Sequence, residues 1–184
     1  MKEIRLGTVG SGAIVHSILD NVKITEGIRL AAVYSRSMEK GGMLASEYGL
    51  DKNKVYTAFD SFLADGEMNT VYIASPNLLH YEQVKRALQA GKHVICEKPF
   101  CTGAKQAREL AALAKEKRLF LADATPTAYL PNLEAVKSAL LQIGKVKLVL
   151  GNYSQYSGRY DRLKTGEVPN VFNPQYGGGA LMDI

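Results

Sequence analysis

Apolar positions along this chain follow two spacings. Short continuous runs bounded by turn signals occur at "IRLGTVG", "IRLAAVYS", "TVYIAS", "HVICEK" and "LFLAD". Between them apolar residues recur at helical intervals, most clearly Tyr81, Val84, Ala87 and Leu88, then Ala104, Ala107, Leu110, Ala111 and Ala114. A strand without polar alternation is covered on both faces, so these runs predict a parallel sheet with helices on each side. The predicted class is α/β, with a doubly wound parallel sheet.

The pattern changes after "LFLAD". "PNLEAVKSALLQIG" predicts one more helix, ending at Gly144, where a glycine suits a helix C-terminus. "KVKLVLGNYSQYSGRY" is rich in β-branched and aromatic residues and longer than a typical core strand, which predicts the first strand of a different sheet. The final stretch, "KTGEVPNVFNPQYGGGALMDI", starts rich in glycine, proline and asparagine and then turns apolar, as a helix does in its first turns. The chain is therefore divided into residues 1–124, which carry the parallel sheet, and residues 125–184, the beginning of a second α/β domain that looks truncated.

Composition narrows the function classes. The chain has 184 residues, 46% of them hydrophobic and 22% charged, enough for one full core plus a small addition. No apolar run reaches the ~20 residues of a membrane span, and "MKEIRLGTVG" reads as a strand leading into glycines, not a signal peptide, so a cytoplasmic protein is expected. A net charge of +5 invites a nucleic-acid partner, but lysines and arginines are scattered singly over predicted helices without interleaved aromatics. The expected use of the excess is an anionic small ligand.

Two stretches carry candidate chemistry. In "IRLGTVGSGAIVHSILD", Gly10 and Gly12 follow a strand and precede an apolar helix, the context of a dinucleotide-binding turn. Gly10 permits the tight turn, Gly12 lets the backbone approach a pyrophosphate, and the helix start at Ala13 and Ile14 offers unpaired N–H donors to the anion. Val15 stands where a third glycine is usual. After the second strand come Tyr34, Ser35, Arg36 and Ser37, with no carboxylate before Glu39. Hydroxyls and a guanidinium suit a ribose 2′-phosphate, so NADP is favoured over NAD.

The second stretch is "VICEKPFC", where charge appears at the end of a buried strand and proline follows at once. Cys96 and Cys101 form no C-x-x-C pair and have no partner ligands, so they are read as structural thiols and no metal is expected. Pro99 biases Lys98 toward an extended backbone, or forms a cis bond with it, and either would aim the lysine into a cleft.

Taken in order, "GSGAIV", "YSRS", "VYIASPNLLHYEQVKRALQAGKHVICEKPF" and "GGGALMDI" make the whole chain resemble the Gfo/Idh/MocA family of NAD(P)-dependent oxidoreductases. The resemblance implies a Rossmann domain followed by an α/β domain whose open antiparallel sheet commonly mediates dimerisation, so a homo-oligomer is expected of a complete protein. It places Glu97, Lys98 and Pro99 beside the nicotinamide, and Pro76, Asn77 and His80 near the ribose and nicotinamide. It also matches Asp183 to an acidic position four residues before a catalytic His or Tyr, which would lie beyond Ile184. His16 and His93 have no motif and are read as structural.

The implied reaction moves a hydride between nicotinamide and a secondary alcohol or ketone of a sugar, polyol or dihydrodiol. Lys98 is the candidate proton-transfer group within this chain, with Asp183 orienting the substrate or the missing partner. "DATPTAYLP" keeps Asp123 and Pro131 but has Thr127 and Ala128 where many members have an aromatic residue and an arginine. That departure leaves open a rival function on the same scaffold, an NADP-binding sensor that turns over no substrate.

Overall fold

A computed structural model describes residues 3–179 of the chain. Six strands form one wholly parallel sheet in the order β3-β2-β1-β4-β5-β6. They are β1 (Ile4–Val9), β2 (Ile28–Tyr34), β3 (Val55–Tyr56), β4 (Thr70–Ile73), β5 (His93–Glu97) and β6 (Leu121–Ala124). The crossover helices are α1 (Ala13–Ile24), α2 (Met38–Glu47), α3 (Phe59–Leu63), α4 (Asn77–Gln89) and α5 (Ala104–Lys117). Strand order reverses between β1 and β4, and a ligand crevice is expected at such a switch point, outside the carboxyl ends of the strands.

Two apolar clusters cover the two faces. One joins Val71, Ile73, Val94 and Cys96 of the sheet to Phe62 of α3, Val84 and Leu88 of α4, and Leu110 of α5. The other joins Leu6, Val33 and Tyr72 to Val15 and Leu19 of α1 and Leu44 of α2. Alternate residues of β4 thus enter opposite clusters, the period-two consequence of a strand buried on both sides. Burial of Cys96 pushes its thiol well above the usual range, which makes it a packing group.

The structure adds to and corrects the sequence reading. β3 is two residues long and sits at the sheet edge, too short for any periodicity to announce it. The helix after the sheet, α6 (Pro131–Leu140), stops before Gly144, and all of its residues except Leu133 are exposed. The strand expected from Lys145 is absent: residues 145–157 have no regular structure, and Leu148, Val149 and Leu150 are 73%, 78% and 89% exposed. A strand exists only by pairing, and no second sheet is present among the described residues to pair with this one. A short helix, α7 (Arg159–Lys164), and three 3-10 turns, Pro126–Tyr129, Asn170–Phe172 and Pro174–Tyr176, complete this part. The expected helix start at "ALMDI", including Asp183, lies outside the described residues.

Candidate dinucleotide and substrate cleft

Gly10 makes the turn out of β1 with φ +113°, and a Cβ built there would lie 2.9 Å from the Ala74 carbonyl oxygen. Only glycine combines that backbone conformation with so close an approach of the β4 loop. Val15, in the third position of the glycine pattern, is fully buried and packs in the cluster with Leu6 and Leu19. Gly12 is the N-cap of α1 without any side-chain cap bond, and no acidic residue occupies the first turn. The Val15 and His16 N–H groups donate to the Gly12 carbonyl, and the Ala13 and Ile14 amides remain available to an anion.

Two adjoining hollows run along the carboxyl edge of the sheet from this turn. The first, of about 480 Å³, is bordered by Gly10, Ser11, Tyr34, Ser35, Arg36, Ser37, Lys40 and Gln83. Ser35 is buried; its Oγ lies 3.5 Å from Ser11 Oγ and accepts the Ser37 N–H at 3.3 Å. Ser37 in turn caps α2, its Oγ accepting the Lys40 N–H at 3.3 Å. A hydroxyl, a guanidinium, an ammonium and a helix N-terminus converge on one small hollow, a donor set matched to a phosphate.

The second hollow, of about 720 Å³, shares Ala74, Ser75, Pro76 and Asn170 with the first. Gly12, Ala13, Ile14, Asn77, His80, Glu97 and Lys98 border it on the sheet side, and Arg159, Arg162, Glu167 and Tyr176 on the other. The Lys98–Pro99 peptide is cis. His80 is completely buried, each ring nitrogen 2.8 Å from a carbonyl oxygen, Nδ1 from Pro99 and Nε2 from Ser75. It ties the two loops that edge the cleft, so its visible role is to hold them in register.

Tyr72 donates its hydroxyl to Glu97 Oε1 at 2.5 Å, and Glu97 Oε2 accepts the Lys98 N–H at 3.3 Å. Burial, reinforced by the Glu97 carboxylate, pushes the Tyr72 hydroxyl far above its usual pKa, so it remains a donor. Across the cleft Arg162 grips Glu167 with two guanidinium nitrogens, Nε to Oε2 at 2.7 Å, and this bond holds the Glu167 carboxyl below the usual range. Asn77 donates from Nδ2 to the Gly177 carbonyl at 2.9 Å, fastening the segment that carries Asn170 and Tyr176 to the start of α4.

The structure brings Gly10, Ser35 and Arg36 to one half and Gly12, Ala13, Ile14, Asn77, His80, Glu97 and Lys98 to the other, with Pro76 in both. Sequence reasoning missed Lys40, Tyr72, Gln83 and the Arg159–Tyr176 side. Lys40 had a signal, three residues after a helix-capping serine; the others depend on pairing or on a loop returning to the sheet. His93 accepts the Phe120 N–H at 3.0 Å, which supports its structural reading. Among the described residues no group of three or more His, Cys, Asp or Glu gathers as a metal site, and no helix is long and apolar enough to cross a membrane.

Fold and cleft together define a dinucleotide-binding α/β protein. The profile of the oxidoreductase family with an NAD-binding Rossmann fold matches residues 4–123, and the chain belongs to that Gfo/Idh/MocA family. It is 38% identical over 181 residues to the scyllo-inositol 2-dehydrogenase (NADP(+)) of Bacillus subtilis, a match covering 98% of this chain and 55% of that protein. It is 28% identical over 158 residues to a trans-1,2-dihydrobenzene-1,2-diol dehydrogenase of Xenopus tropicalis, covering 85% of this chain and 45% of the relative. A 3-ketoreductase from Actinomadura kijaniata, solved in complex with NADP, superposes with a TM-score of 0.71 at 29% identity over 77% of this chain and 44% of its own. The chain spans about half the length of the curated relatives it matches.

Proposed function

We propose that residues 1–124 bind NADP in the two-part cleft and that the protein is a dehydrogenase or reductase acting on a secondary alcohol or ketone of a sugar, polyol or dihydrodiol. The observation that carries this reading is the continuity of the two hollows. A phosphate-suited set at Ser35, Arg36, Ser37 and Lys40 lies at one end, the Glu97-Lys98 turn at the other, and the Gly10 turn with the α1 N-terminus between them. The residues present fit an extended dinucleotide. Similarity to NADP-dependent relatives named for inositol and xylose supports the substrate class.

When bound, the nicotinamide supplies or receives the hydride. In this reading the first-turn amides of α1 hold the pyrophosphate, Arg36 and Lys40 the 2′-phosphate, and Asn77 the loop beside the ribose. Lys98 then bonds the substrate oxygen and moves its proton, with Asp183 orienting the substrate; Glu97 and His80 hold the turn that carries Lys98.

The test has two parts. Titration with NADPH, followed by nicotinamide fluorescence, should saturate, and NADH should bind about tenfold or more weakly if Arg36 reads the phosphate. A screen of polyols, sugars and dihydrodiols for NADP reduction by the full protein should find turnover that Lys98→Ala lowers at least about a hundredfold. Tight NADPH binding with no turnover in that screen would favour the sensor reading instead.

A further inference from the structure

We propose that Tyr72 is a positioning residue for the Glu97-Lys98 turn. Its hydroxyl fixes the Glu97 carboxylate, and the carboxylate orients the backbone from which Lys98 enters the cleft. The functional meaning of that placement rests on the oxidoreductase reading above.

Strand pairing makes the contact. Tyr72 lies opposite Ile95, so Glu97, two residues further along β5, is its diagonal neighbour on the same face of the sheet. A shorter side chain would not bridge that diagonal; the phenol places its oxygen 2.5 Å from Glu97 Oε1. Glu97 Oε2 is then left to the Lys98 N–H at 3.3 Å. The Tyr72 ring is 1% exposed and belongs to the cluster containing Val15 and Leu19. One side chain therefore packs on α1, whose N-terminus edges the cleft, and also holds the turn at the cleft's other wall.

The chemistry of the pair is directional. Burial keeps the phenol protonated, so it can only donate to the carboxylate, and a charge-assisted bond of this kind is among the stronger ones a side chain makes. A packing role alone would need the ring and not the oxygen. Phenylalanine would fill nearly the same volume, without a polar group that requires a partner.

The test uses the full chain, ¹⁵N-labelled, with Tyr72→Phe, Glu97→Ala and the double variant. Tyr72→Phe should speed hydrogen exchange of the Lys98 amide about tenfold, while the amides of Val71 and Ile73 in the same strand are unchanged, and should weaken NADPH binding by a similar factor. In the Glu97→Ala background the same substitution should alter either quantity by less than about twofold, because the hydroxyl no longer has anything to act through. In a Glu97→Gln background, which keeps an acceptor, part of the effect should return.

Unchanged Lys98 exchange in Tyr72→Phe would overturn the proposal, as would an effect undiminished by Glu97→Ala. Uniformly fast exchange through β4 would also overturn it, since the hydroxyl would then serve the core. Failure of the wild-type chain to bind NADPH would count against the oxidoreductase reading alone, and the exchange cycle would still decide the role of Tyr72.

Discussion

Between Leu6 and Ala114 the chain buries whole side chains against both faces of the sheet, Phe62, Leu88 and Val94 among them at 0% exposure. Between Leu140 and Tyr156 it leaves leucines, valines and tyrosines in water, Leu141 at 87% and Leu150 at 89%. Apolar content without cover from other elements thus does not order a segment of this molecule. The parallel sheet closes on its own crossover helices, so each strand finds its partners and its cover within the same unit. Among the described residues the later segment has no such cover, and what order it shows near 159–179 comes from contacts at the cleft, including Asn77 with Gly177 and Arg162 with Glu167.

The sharpest way to break that comparison is to truncate one side chain in each region. Phe62→Ala removes a fully buried ring at the meeting of Tyr34, Tyr56 and Phe59 and should cost roughly 3–5 kcal/mol in urea unfolding. Leu150→Ala should change the same measurement by less than about 0.5 kcal/mol. A large loss in the second variant would mean that the segment is packed after all.

Gly10→Ala separates stability from binding within the sheet half. A side chain there meets the Ala74 carbonyl at a φ of +113°, so the turn must shift at a cost of about 1–3 kcal/mol. NADPH affinity, read by fluorescence, should fall at least about tenfold while circular dichroism is unchanged.

Asn77→Ala addresses the later segment. Loss of one side-chain hydrogen bond should cost about 1 kcal/mol, confined to that contact. Proteolytic cleavage within 165–179 should quicken while the thermal midpoint of the sheet stays in place.

The smallest effect concerns acid. Burial works against ionisation of Asp65, but the Tyr56 hydroxyl, the Glu67 amide and the Lys54 ammonium outweigh it and hold its carboxyl below the unfolded value of 3.8. A group lowered on folding stabilises fully above its unfolded pKa and loses that contribution as pH falls through the folded one. Asp65→Asn should therefore flatten the fall in stability below pH ~3.8 and lower stability at neutral pH.

Much of the sheet was legible because continuous apolar runs and helical spacing both follow from burial on two faces. β3 was not, since two residues carry no period, and the strand expected after Lys145 was misread because β-branched content describes what a strand would bury, not whether a partner is there. Site residues divide in the same way. Gly10, Gly12, Ser35 and Arg36 are announced by local order, turn then helix. Tyr72 reads as core in the sequence, and its link to Glu97 appears only when β4 and β5 are placed in register.

The sequence by itself determined the parallel class, the alternation of strands with crossover helices and the glycine turn at Gly10, because these depend on spacing and on single-residue conformational limits; whether the Lys98–Pro99 bond is cis was left to the structure. Only the tertiary structure decided that the hollows at Arg36 and at Lys98 adjoin, that residues 159–176 form the far wall, and that Tyr72 reaches Glu97. Those are relations between segments far apart in the chain, set by strand order and register, and no local pattern encodes a distance between two strands.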